Sequence, residues 1–305
     1  MTNKIIVHGG NAHLDEFVAS AEALVARHWC WDYANESLDK VAAETVIERR
    51  DPTPTELANP EVIVLDVGGQ LDDTKSNYDH HQLPRGSRDC AMTLFAKCVK
   101  LPGRKGTLFD AMRRLYPWYE TRAMLDSNGP FATAKEKGVE WGTVASFMGP
   151  FEDLFLDAFI HAAPLARAQV VLPFAKDILA KIEAECRVVA NLEHWVTAQG
   201  VEVIDFTKAD PADVDVVSDA MLAPVPNGVA IFRDKRGPGY ALLRIKDDPR
   251  IDFSRTKDMT CMAFCHVNGF YATTKEPAPV SRSLLADIIG TAFVAKGAKG
   301  SETAV

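Results

Sequence analysis

The stretch Val62-Ile63-Val64-Leu65-Asp66 decides the predicted fold. It is a continuous apolar run that ends in an acid and is stopped by Gly68-Gly69. Continuous rather than alternating hydrophobicity is typical of a strand covered on both faces, as in a parallel sheet. A second run, Ile5-Ile6-Val7, leads through a turn at Gly9-Gly10-Asn11 into apolar residues with helical spacing. The order of strand, tight loop and helix predicts an α/β domain with a parallel sheet.

Side chains that can bind a metal ion gather near the ends of these strands. They are His8, His13, Asp15, Asp66 and the segment Tyr78-Asp79-His80-His81-Gln82. In open α/β sheets, ligands bind where strands join the loops that follow them. A single His or Asp at such a place is usually structural and satisfied by a nearby backbone group. One shared metal site explains the whole set more economically than several unrelated structural residues.

The ligand types favour some metals over others. Mixed imidazole and carboxylate ligands suit Mn²⁺, and also Fe²⁺ or Zn²⁺, better than Ca²⁺ or an all-oxygen Mg²⁺ site. Two ions about 3.5–4 Å apart can activate a water and clamp the oxygens of a phosphate. The competing hypothesis is a thiolate zinc site at Cys261, Cys265 and His266, but no second Cys/His cluster of standard spacing accompanies them. We interpret these two cysteines as strand residues.

Composition limits the class of protein. The 305 residues are 47% hydrophobic and 25% charged, which suffices for a core and predicts more than one domain. A net charge of -8 argues against broad binding to long nucleic acid, but not against a short anionic ligand held by local basic side chains. Scattered cysteines, no visible signal peptide and no apolar run of membrane length predict a cytoplasmic protein with reduced thiols.

Several motifs resemble the MYG1 family of the DHH phosphoesterase superfamily. The segment His8-Gly-Gly-Asn-Ala-His13-Leu-Asp15-Glu16 is similar to that family's opening H-N-G-x-F-H-x-D-E motif. Asp66-Val-Gly-Gly and Tyr78-Asp79-His80-His81-Gln82 resemble its D-V-G-G and Y-D-H-H-Q segments. The further matching segments are Arg50-Asp51-Pro52, Leu125-Asp126-Ser127-Asn128-Gly129 and His266-Val-Asn-Gly269-Phe270.

This resemblance implies a DHH-type parallel-sheet α/β domain followed by a smaller C-terminal α+β domain. We place the metal-binding catalytic domain at residues 1–160, a helical linker at 161–198 and a substrate-binding domain at 199–305. The resemblance implies a phosphodiesterase that uses two Mn²⁺ ions, with Mg²⁺ as the alternative, and acts as a 3′–5′ exonuclease on RNA or short oligonucleotides. The expected binding partner is short RNA or DNA or a nucleotide, and no membrane is involved. Assembly into a homo-oligomer stays open.

Two other functions stay open. One is a phosphohydrolase of a smaller substrate, pyrophosphate or a cyclic dinucleotide. The other is a nucleotide-binding protein of the same fold without turnover.

The superfamily pattern also implies a role for each matching residue. His8 and His13 would hold one ion, whereas Asp15, His80 and Asp126 would hold the second. Asp66 would bridge both ions and help orient the attacking water.

The groups near the substrate follow from the same pattern. His81 would be the second catalytic residue, facing the phosphate, and Asp79 would support the His80–His81 turn. Arg50, His266 and Arg244 are the candidates for substrate contact, with surface or strand residues as the alternative.

Two segments depart from the family pattern. Gly9-Gly10-Asn11-Ala12 replaces Asn-Gly, a small residue and Phe, and Tyr271-Ala272-Thr273-Thr274 stands where a Gly-Gly-His is usual. These differences leave the metal ligands intact and predict an altered C-terminal substrate contact. Elsewhere, Val41 to Glu48 predicts a strand, and Asn268-Gly269 predicts a hairpin turn.

Overall fold

The computed structural model describes residues 3–30, 36–84, 86–145, 150–275 and 277–295. The chain divides into two units, Met1–Ile182 and Glu183–Val305. The division falls inside a long helix, Pro164–Asn191, within the segment predicted as a helical linker. Within the described residues, no helix is both long and apolar enough to cross a membrane.

The first unit is built on a mostly parallel sheet. Its strands are β1 (Asn3–Val7), β2 (Thr45–Arg49), β3 (Val62–Leu65), β4 (Leu71–Asp72) and β5 (Asn77–Tyr78). The strand order is β2-β1-β3-β5-β4, and only the short β4 runs antiparallel to its neighbour. All residues of β3 are buried, because β3 pairs on both sides and is covered on both faces. The predicted parallel α/β fold is confirmed.

Helices connect and follow these strands, and the last of them extends into the second unit. They are α1 (Leu14–Cys30), α2 (Leu38–Ala43), α3 (Pro54–Leu57), α4 (Ala91–Cys98), α5 (Leu108–Leu115), α6 (Tyr119–Lys137), α7 (Trp141–Ala145), α8 (Pro150–His161) and α9 (Pro164–Asn191). The helix α1 packs against β3 and α4. The strand predicted at Val41 to Glu48 is wrong in its first half, because Val41 and Ala42 are buried in α2 and the strand begins at Thr45.

The second unit has a mixed sheet. Its strands are β6 (Glu193–Val196), β7 (Glu202–Asp205), β8 (Gly228–Arg233), β9 (Tyr240–Ile245), β10 (Met262–Cys265) and β11 (Tyr271–Thr274), in the order β10-β11-β9-β8-β7-β6. Among the strands that the structure describes in this unit, only β7 and β8 pair in parallel. The predicted hairpin at Asn268-Gly269 is confirmed, since β10 and β11 pair antiparallel on either side of it.

Two helices complete the second unit, α10 (Pro211–Leu222) and α11 (Arg282–Ala292). Buried side chains of α11, among them Leu285 and Ile288, pack on Ile231 and Leu242 of the sheet and form the core. Burial of this apolar face stabilises the unit, at about 25 cal/mol per Å² of apolar surface removed from water. Cys90, Cys98 and Cys265 are free thiols.

Candidate metal centre

Asp66 directly follows β3 and has an unusual backbone conformation. Its φ of 60° lies in the left-handed region, which few residues other than glycine adopt. Its N–H donates to the carbonyl of Tyr78 at 3.1 Å, so the turn is fixed to the end of β5. Asp tolerates this conformation better than larger side chains, and such local strain is concentrated at functional sites. The turn places a buried carboxylate where the chain leaves the sheet.

His80 lies between two carboxylates. Its Nε2 is 3.0 Å from Asp66 Oδ1 and 3.1 Å from Asp126 Oδ2. Burial lowers the pKa of His80, but the two carboxylates outweigh burial and raise the pKa to about 10. The predicted ligands Asp66, His80 and Asp126 are therefore adjacent, although 60 residues separate the first from the last in sequence.

Asp126 is positioned by the residues that follow it. Ser127 Oγ donates to the carbonyl of Asp89 at 2.7 Å, and Asn128 Nδ2 donates to the carbonyl of Ser87 at 2.6 Å. Gly129, with φ 75° and ψ 168°, interrupts α6 just before Pro130. The Asp-Ser-Asn-Gly motif thus fixes α6 to the loop that follows the two histidines.

Asp79 holds His81 in place. Its Oδ1 lies 2.7 Å from His81 Nδ1 and accepts the His81 backbone N–H at 2.9 Å. Its Oδ2 accepts the Gly69 N–H at 2.6 Å. Burial raises the pKa of Asp79, but these hydrogen bonds outweigh it and leave the pKa below its ordinary value. The His81 side chain is 60% exposed. Asp79 therefore fixes the orientation of the ring, while much of the ring stays accessible to solvent.

The opening loop brings further ligands to Asp66 and Asp126. Three groups of side chains each place their possible ligand atoms within 4.8 Å of one another. The first group is His8, Glu16 and Asp66, the second is Asp66, His80 and His81, and the third is His13, Asp15 and Asp126. Asp66 belongs to two of the groups, and His80 joins it to Asp126. The structure therefore assembles all six residues predicted as metal ligands in one region of the first unit.

The charges of this region favour a bound cation. Burial and the nearby Asp66 and Asp126 raise the pKa of Asp15 well above its ordinary value. Within the described residues, Asp15 Oδ1, Glu16 Oε2, Asp66 Oδ2 and His8 Nδ1 are buried without a hydrogen-bond partner. Buried polar atoms normally have partners, and imidazole and carboxylate groups are the ligands that Mn²⁺, Fe²⁺ and Zn²⁺ accept. The residues present fit a divalent metal.

Glu16 is a candidate ligand that the sequence analysis missed. Its side chain is fully buried, Oε1 accepts a hydrogen bond from Arg49 Nη1, and burial outweighs Arg49 to raise the pKa of Glu16 to about 7. Arg49 Nη2 also donates to the Gly10 carbonyl at 2.6 Å. The sequence offered one indication of this role, because Glu16 is the last residue of the opening motif. An acid in the first turn of a helix is, however, already explained by its favourable interaction with the helix dipole.

Arg50, predicted to contact substrate, is engaged with acids of its own unit. Its Nε donates to Glu48 Oε2 and its Nη1 to Glu56 Oε2, both at 2.9 Å. The hydrogen bond to Glu56 is the main cause that raises the pKa of Arg50. These contacts tie β2 to α3 and give the predicted phosphate contact no support.

Arg244 and His266 lie in the second unit. Arg244 donates to the carbonyl of Ile251 at 3.1 Å and to Asp247 Oδ1 at 2.8 Å. His266 Nδ1 accepts the Asn268 N–H at 3.1 Å, within the β10–β11 hairpin. Their predicted substrate contacts stay predictions.

A cavity of ≈ 280 Å³ opens beside the ligand groups in the first unit. His13, Asp15 and Asp126 line one part of it, and Arg122 and Glu152 line another.

The fold and this His–Asp cluster define an α/β protein with a candidate site for divalent metal ions. The family model MYG1_exonuc, described as "Uncharacterised protein family (UPF0160)", matches residues 4–88. The predicted resemblance to the MYG1 family is confirmed over this segment, which contains β1 except Asn3, all of β2 to β5, and every candidate ligand except Asp126. The family match and the ligand groups support a metal-dependent phosphoesterase.

Solved structures with some similarity include two chains. One, titled "Member of s1p family of ribosomal proteins PF0399 DHH domain", has 11% identity, covers 94% of this chain and 85% of its own, and gives a TM-score of 0.30. The other is a pGpG-specific phosphodiesterase, PggH, from Vibrio cholerae, with 10% identity, 95% and 99% coverage and a TM-score of 0.27. No curated protein sequence matches the chain.

Proposed function

We propose that this protein is a metal-dependent phosphodiesterase and that it degrades short RNA or other oligonucleotides as a 3′–5′ exonuclease. The observation that carries the proposal is the position of His80 Nε2 between the carboxylates of Asp66 and Asp126, with Asp66 shared by two ligand groups. A shared carboxylate is the feature expected of a centre for two ions. Mn²⁺ is the proposed metal and Mg²⁺ the alternative.

The residues that would hold the ions are His8, His13, Asp15, Glu16, Asp66, His80 and Asp126. When bound, divalent ions polarise phosphate oxygens and lower the pKa of a coordinated water. The region around Asp66 is acidic and buried, so without a cation it would repel a phosphate. The ligand carboxylates therefore make substrate binding depend on the metal.

We assign to the His81 side chain the contact between the protein and the phosphate. Asp79 engages Nδ1, which fixes the ring orientation and directs the opposite nitrogen, Nε2, away from Asp79. An exposed ring held in this way can donate a hydrogen bond to a phosphate oxygen or a proton to the leaving oxygen. Asp79 is proposed as a positioning residue, since its carboxylate contacts His81 and Gly69 instead of the metal ligands.

A hydrolysis assay tests the proposal. Protein stripped with a chelator is reloaded with Mn²⁺ or Mg²⁺ and incubated with an end-labelled oligonucleotide, and release of mononucleotides is followed. We expect Mn²⁺-dependent release by the natural protein and none by Asp66→Asn or His80→Ala. Asp157→Asn is the matched control, because Asp157 is an exposed acid of α8 whose contacts are with His161. Unchanged turnover in both site variants contradicts the proposal.

A smaller substrate is the second candidate, and the cavity beside His13 and Asp126 favours it. At ≈ 280 Å³ it lies at the lower end of the sizes usual for ligand pockets, about 300–1,000 Å³. Parallel assays with pyrophosphate, a cyclic dinucleotide, a linear dinucleotide and longer strands separate the two candidates. Neither bound metal nor hydrolysis of any of these compounds would favour a protein that binds nucleotides without turnover.

A further inference from the structure

Arg122 is a buried cation in the wall of the cavity beside the candidate metal centre. Its side chain is 7% exposed, and it lines the cavity of ≈ 280 Å³ together with His13, Asp15 and Asp126. Among the described residues that line this cavity, Arg122 is the only Lys or Arg. An arginine is almost never fully buried unless its charge is paired, so its position needs an explanation in terms of the anions around it.

The helix α6 places Arg122 and Asp126 on one face. The two residues are four positions apart, before Gly129 interrupts the helix. Side chains at positions i and i+4 of a helix lie one above the other, about 6 Å apart along the axis. Because Asp126 lies 3.1 Å from His80, Arg122 is one turn of the helix away from the ligand groups. The cation is therefore close to the proposed ions without being one of their ligands.

Glu152 holds the guanidinium of Arg122 from the helix α8. Arg122 Nη2 donates a hydrogen bond to Glu152 Oε1, and the Glu152 side chain is 19% exposed. Burial raises the pKa of Glu152 more than the charge of Arg122 lowers it. A guanidinium presents five N–H donors in a fixed fork, so one carboxylate can orient it while the same group donates to a second anion.

A structural role alone explains this ion pair poorly. A buried ion pair contributes little net stability compared with apolar side chains of similar volume, because two charges must be removed from water. The pair of Arg122 and Glu152 nevertheless lies in the wall of a cavity that also contains three candidate metal ligands. A function in this cavity gives the buried cation a reason that packing between α6 and α8 does not.

The charges around the cavity indicate which ligand suits Arg122. The acids that line it are Asp15, Asp126, Glu152 and Asp153. Asp15 and Asp126 are candidate metal ligands, so bound divalent ions would offset their charge, and Arg122 offsets the charge of Glu152. Asp153 is exposed to solvent, which screens its charge. With metal bound, the cavity can therefore accept an anion to which the guanidinium donates.

A phosphate group matches both parts of this cavity. Guanidinium groups bind phosphate oxygens through two parallel N–H donors, a geometry that lysine lacks. Divalent ions polarise the oxygens of the same group. Arg50, which the sequence suggested for substrate contact, is engaged by Glu48 and Glu56 instead. Leu125 and Leu156 line another part of the cavity, and walls of low polarity strengthen the attraction between a guanidinium and an anion.

We propose that Arg122 binds a phosphate group of the substrate in this cavity and that Glu152 is the positioning residue that orients its guanidinium. The inference deepens the proposed function and rests on it for the statement that the phosphate belongs to a substrate. It places the contact in the first unit, which contains the candidate metal ligands. Arg122 adds to the contact assigned to His81, since the two side chains come from different elements of that unit.

Binding of inorganic phosphate to the full chain tests the inference without any turnover. Each protein is loaded with Mn²⁺, freed of excess metal and titrated with phosphate in a calorimeter, and its metal content is measured in parallel. We expect Arg122→Gln to weaken phosphate binding at least about tenfold, the fold-change that corresponds to the loss of one charge-assisted hydrogen bond, with the metal content unchanged. Arg122→Lys keeps the charge but loses the fork, so it should recover only part of the affinity.

Two further variants control for folding and for net charge. Arg122→Gln leaves the partly buried Glu152 carboxylate without this cation, and the double variant Arg122→Gln/Glu152→Gln removes that negative charge as well. The double variant should melt close to the natural protein and still bind phosphate about tenfold more weakly. Arg113→Gln removes one positive charge from α5, where the Arg113 side chain is half exposed, and it should keep the natural affinity.

Glu152→Gln distinguishes the proposal from a purely structural pair. Its amide oxygen can still accept the hydrogen bond from Arg122, and the negative charge beside the phosphate is removed, so phosphate should bind more tightly than to the natural protein. A structural pair would instead let Glu152→Gln and Arg122→Gln lower the melting temperature and leave the phosphate affinity unchanged. Unchanged affinity in the double variant at full metal content overturns the inference, and so does the absence of phosphate binding by the loaded natural protein.

The outcome is separable from that of the proposed function. Phosphate binding that depends on Arg122, without hydrolysis of any oligonucleotide by the natural protein, would support the anion site and contradict the proposed function. Hydrolysis by the natural protein with the same KM in the double variant would overturn the role of Arg122 alone.

Discussion

Asp66 Oδ1 lies 3.0 Å from His80 Nε2, and the residue that provides it has a left-handed backbone with φ 60°. The conformation and the contact belong together, because the turn brings the carboxylate to the histidine. Asn tolerates this backbone conformation, but alanine loses about 1–2 kcal/mol in it. We therefore expect Asp66→Asn to be more stable than Asp66→Ala by about 1 kcal/mol in metal-free urea unfolding. Equal stability of the two variants would show that the turn is unstrained.

Removal of the Asp79 carboxylate should affect turnover more than metal binding. Asp79 contacts His81 and Gly69, so Asp79→Asn weakens the orientation of the His81 ring. We expect kcat to fall about 10–100-fold, as for other positioning contacts, with the metal content unchanged. His81→Ala should lose activity to a similar extent, and the double variant should be little worse than His81→Ala. Additive losses would contradict a shared role.

The buried pair of Arg49 and Glu16 should be important for stability. Their side chains are 5% and 0% exposed, and loss of one partner of a buried ion pair costs about 3–5 kcal/mol. We expect Arg49→Met to lower the free energy of unfolding by about 3 kcal/mol at pH 8. The loss should be smaller at pH 5, below the Glu16 pKa of about 7, because the protonated acid needs no cation. Addition of Glu16→Gln should restore part of the loss at pH 8, and failure to do so would contradict the pairing.

Glu22 should make stability fall as the pH rises. It is fully buried, Tyr119 donates to its Oε1 at 2.6 Å, and burial raises the pKa of Glu22 well above its ordinary value despite that bond. The folded protein therefore keeps a proton that the unfolded chain releases above about pH 4.3. The stabilising contribution of Glu22 to the free energy of unfolding is fully present below that pH, and it declines as the pH rises towards the pKa of Glu22 in the folded protein.

Glu22→Gln isolates this effect, since the amide oxygen can still accept the Tyr119 hydrogen bond. We expect the variant to match the natural protein at pH 4 and to have the higher unfolding free energy at pH 8, where the unfolded glutamate is ionised and the folded one is not. Urea unfolding in EDTA at the two pH values provides the comparison. The same difference in stability at both pH values would rule out the buried acid as its cause.

The parallel sheet was predictable because one local feature determines it. An apolar run as short as Val62 to Leu65, followed by Gly68-Gly69, is typical of a strand buried on both faces, and the structure pairs it on both sides. The segment around Val41 was less predictable. Its buried residues suit a helix or a strand equally, and the change from α2 to β2 depends on tertiary packing.

The site was predictable in its residues but not in its contacts. Motifs identified Asp66, His80 and Asp126, yet Glu16 required knowledge of its complete burial, which a charged residue in a first helical turn does not reveal. Arg50 shows the opposite case. Its motif suggested substrate binding, but the neighbouring Glu48 and Glu56 surround its guanidinium only once β2 and α3 are in place.

Elemental analysis of bound metal tests the central claim most directly. The natural protein, Asp66→Asn and the control Asp157→Asn are stripped, loaded with Mn²⁺ and desalted before the metal is counted. The proposed centre predicts about two Mn²⁺ per chain in the natural protein and the control, and a clear loss in Asp66→Asn, because Asp66 belongs to two ligand groups. Absence of metal from the natural protein, or equal metal in all three proteins, would contradict a metal centre organised around Asp66.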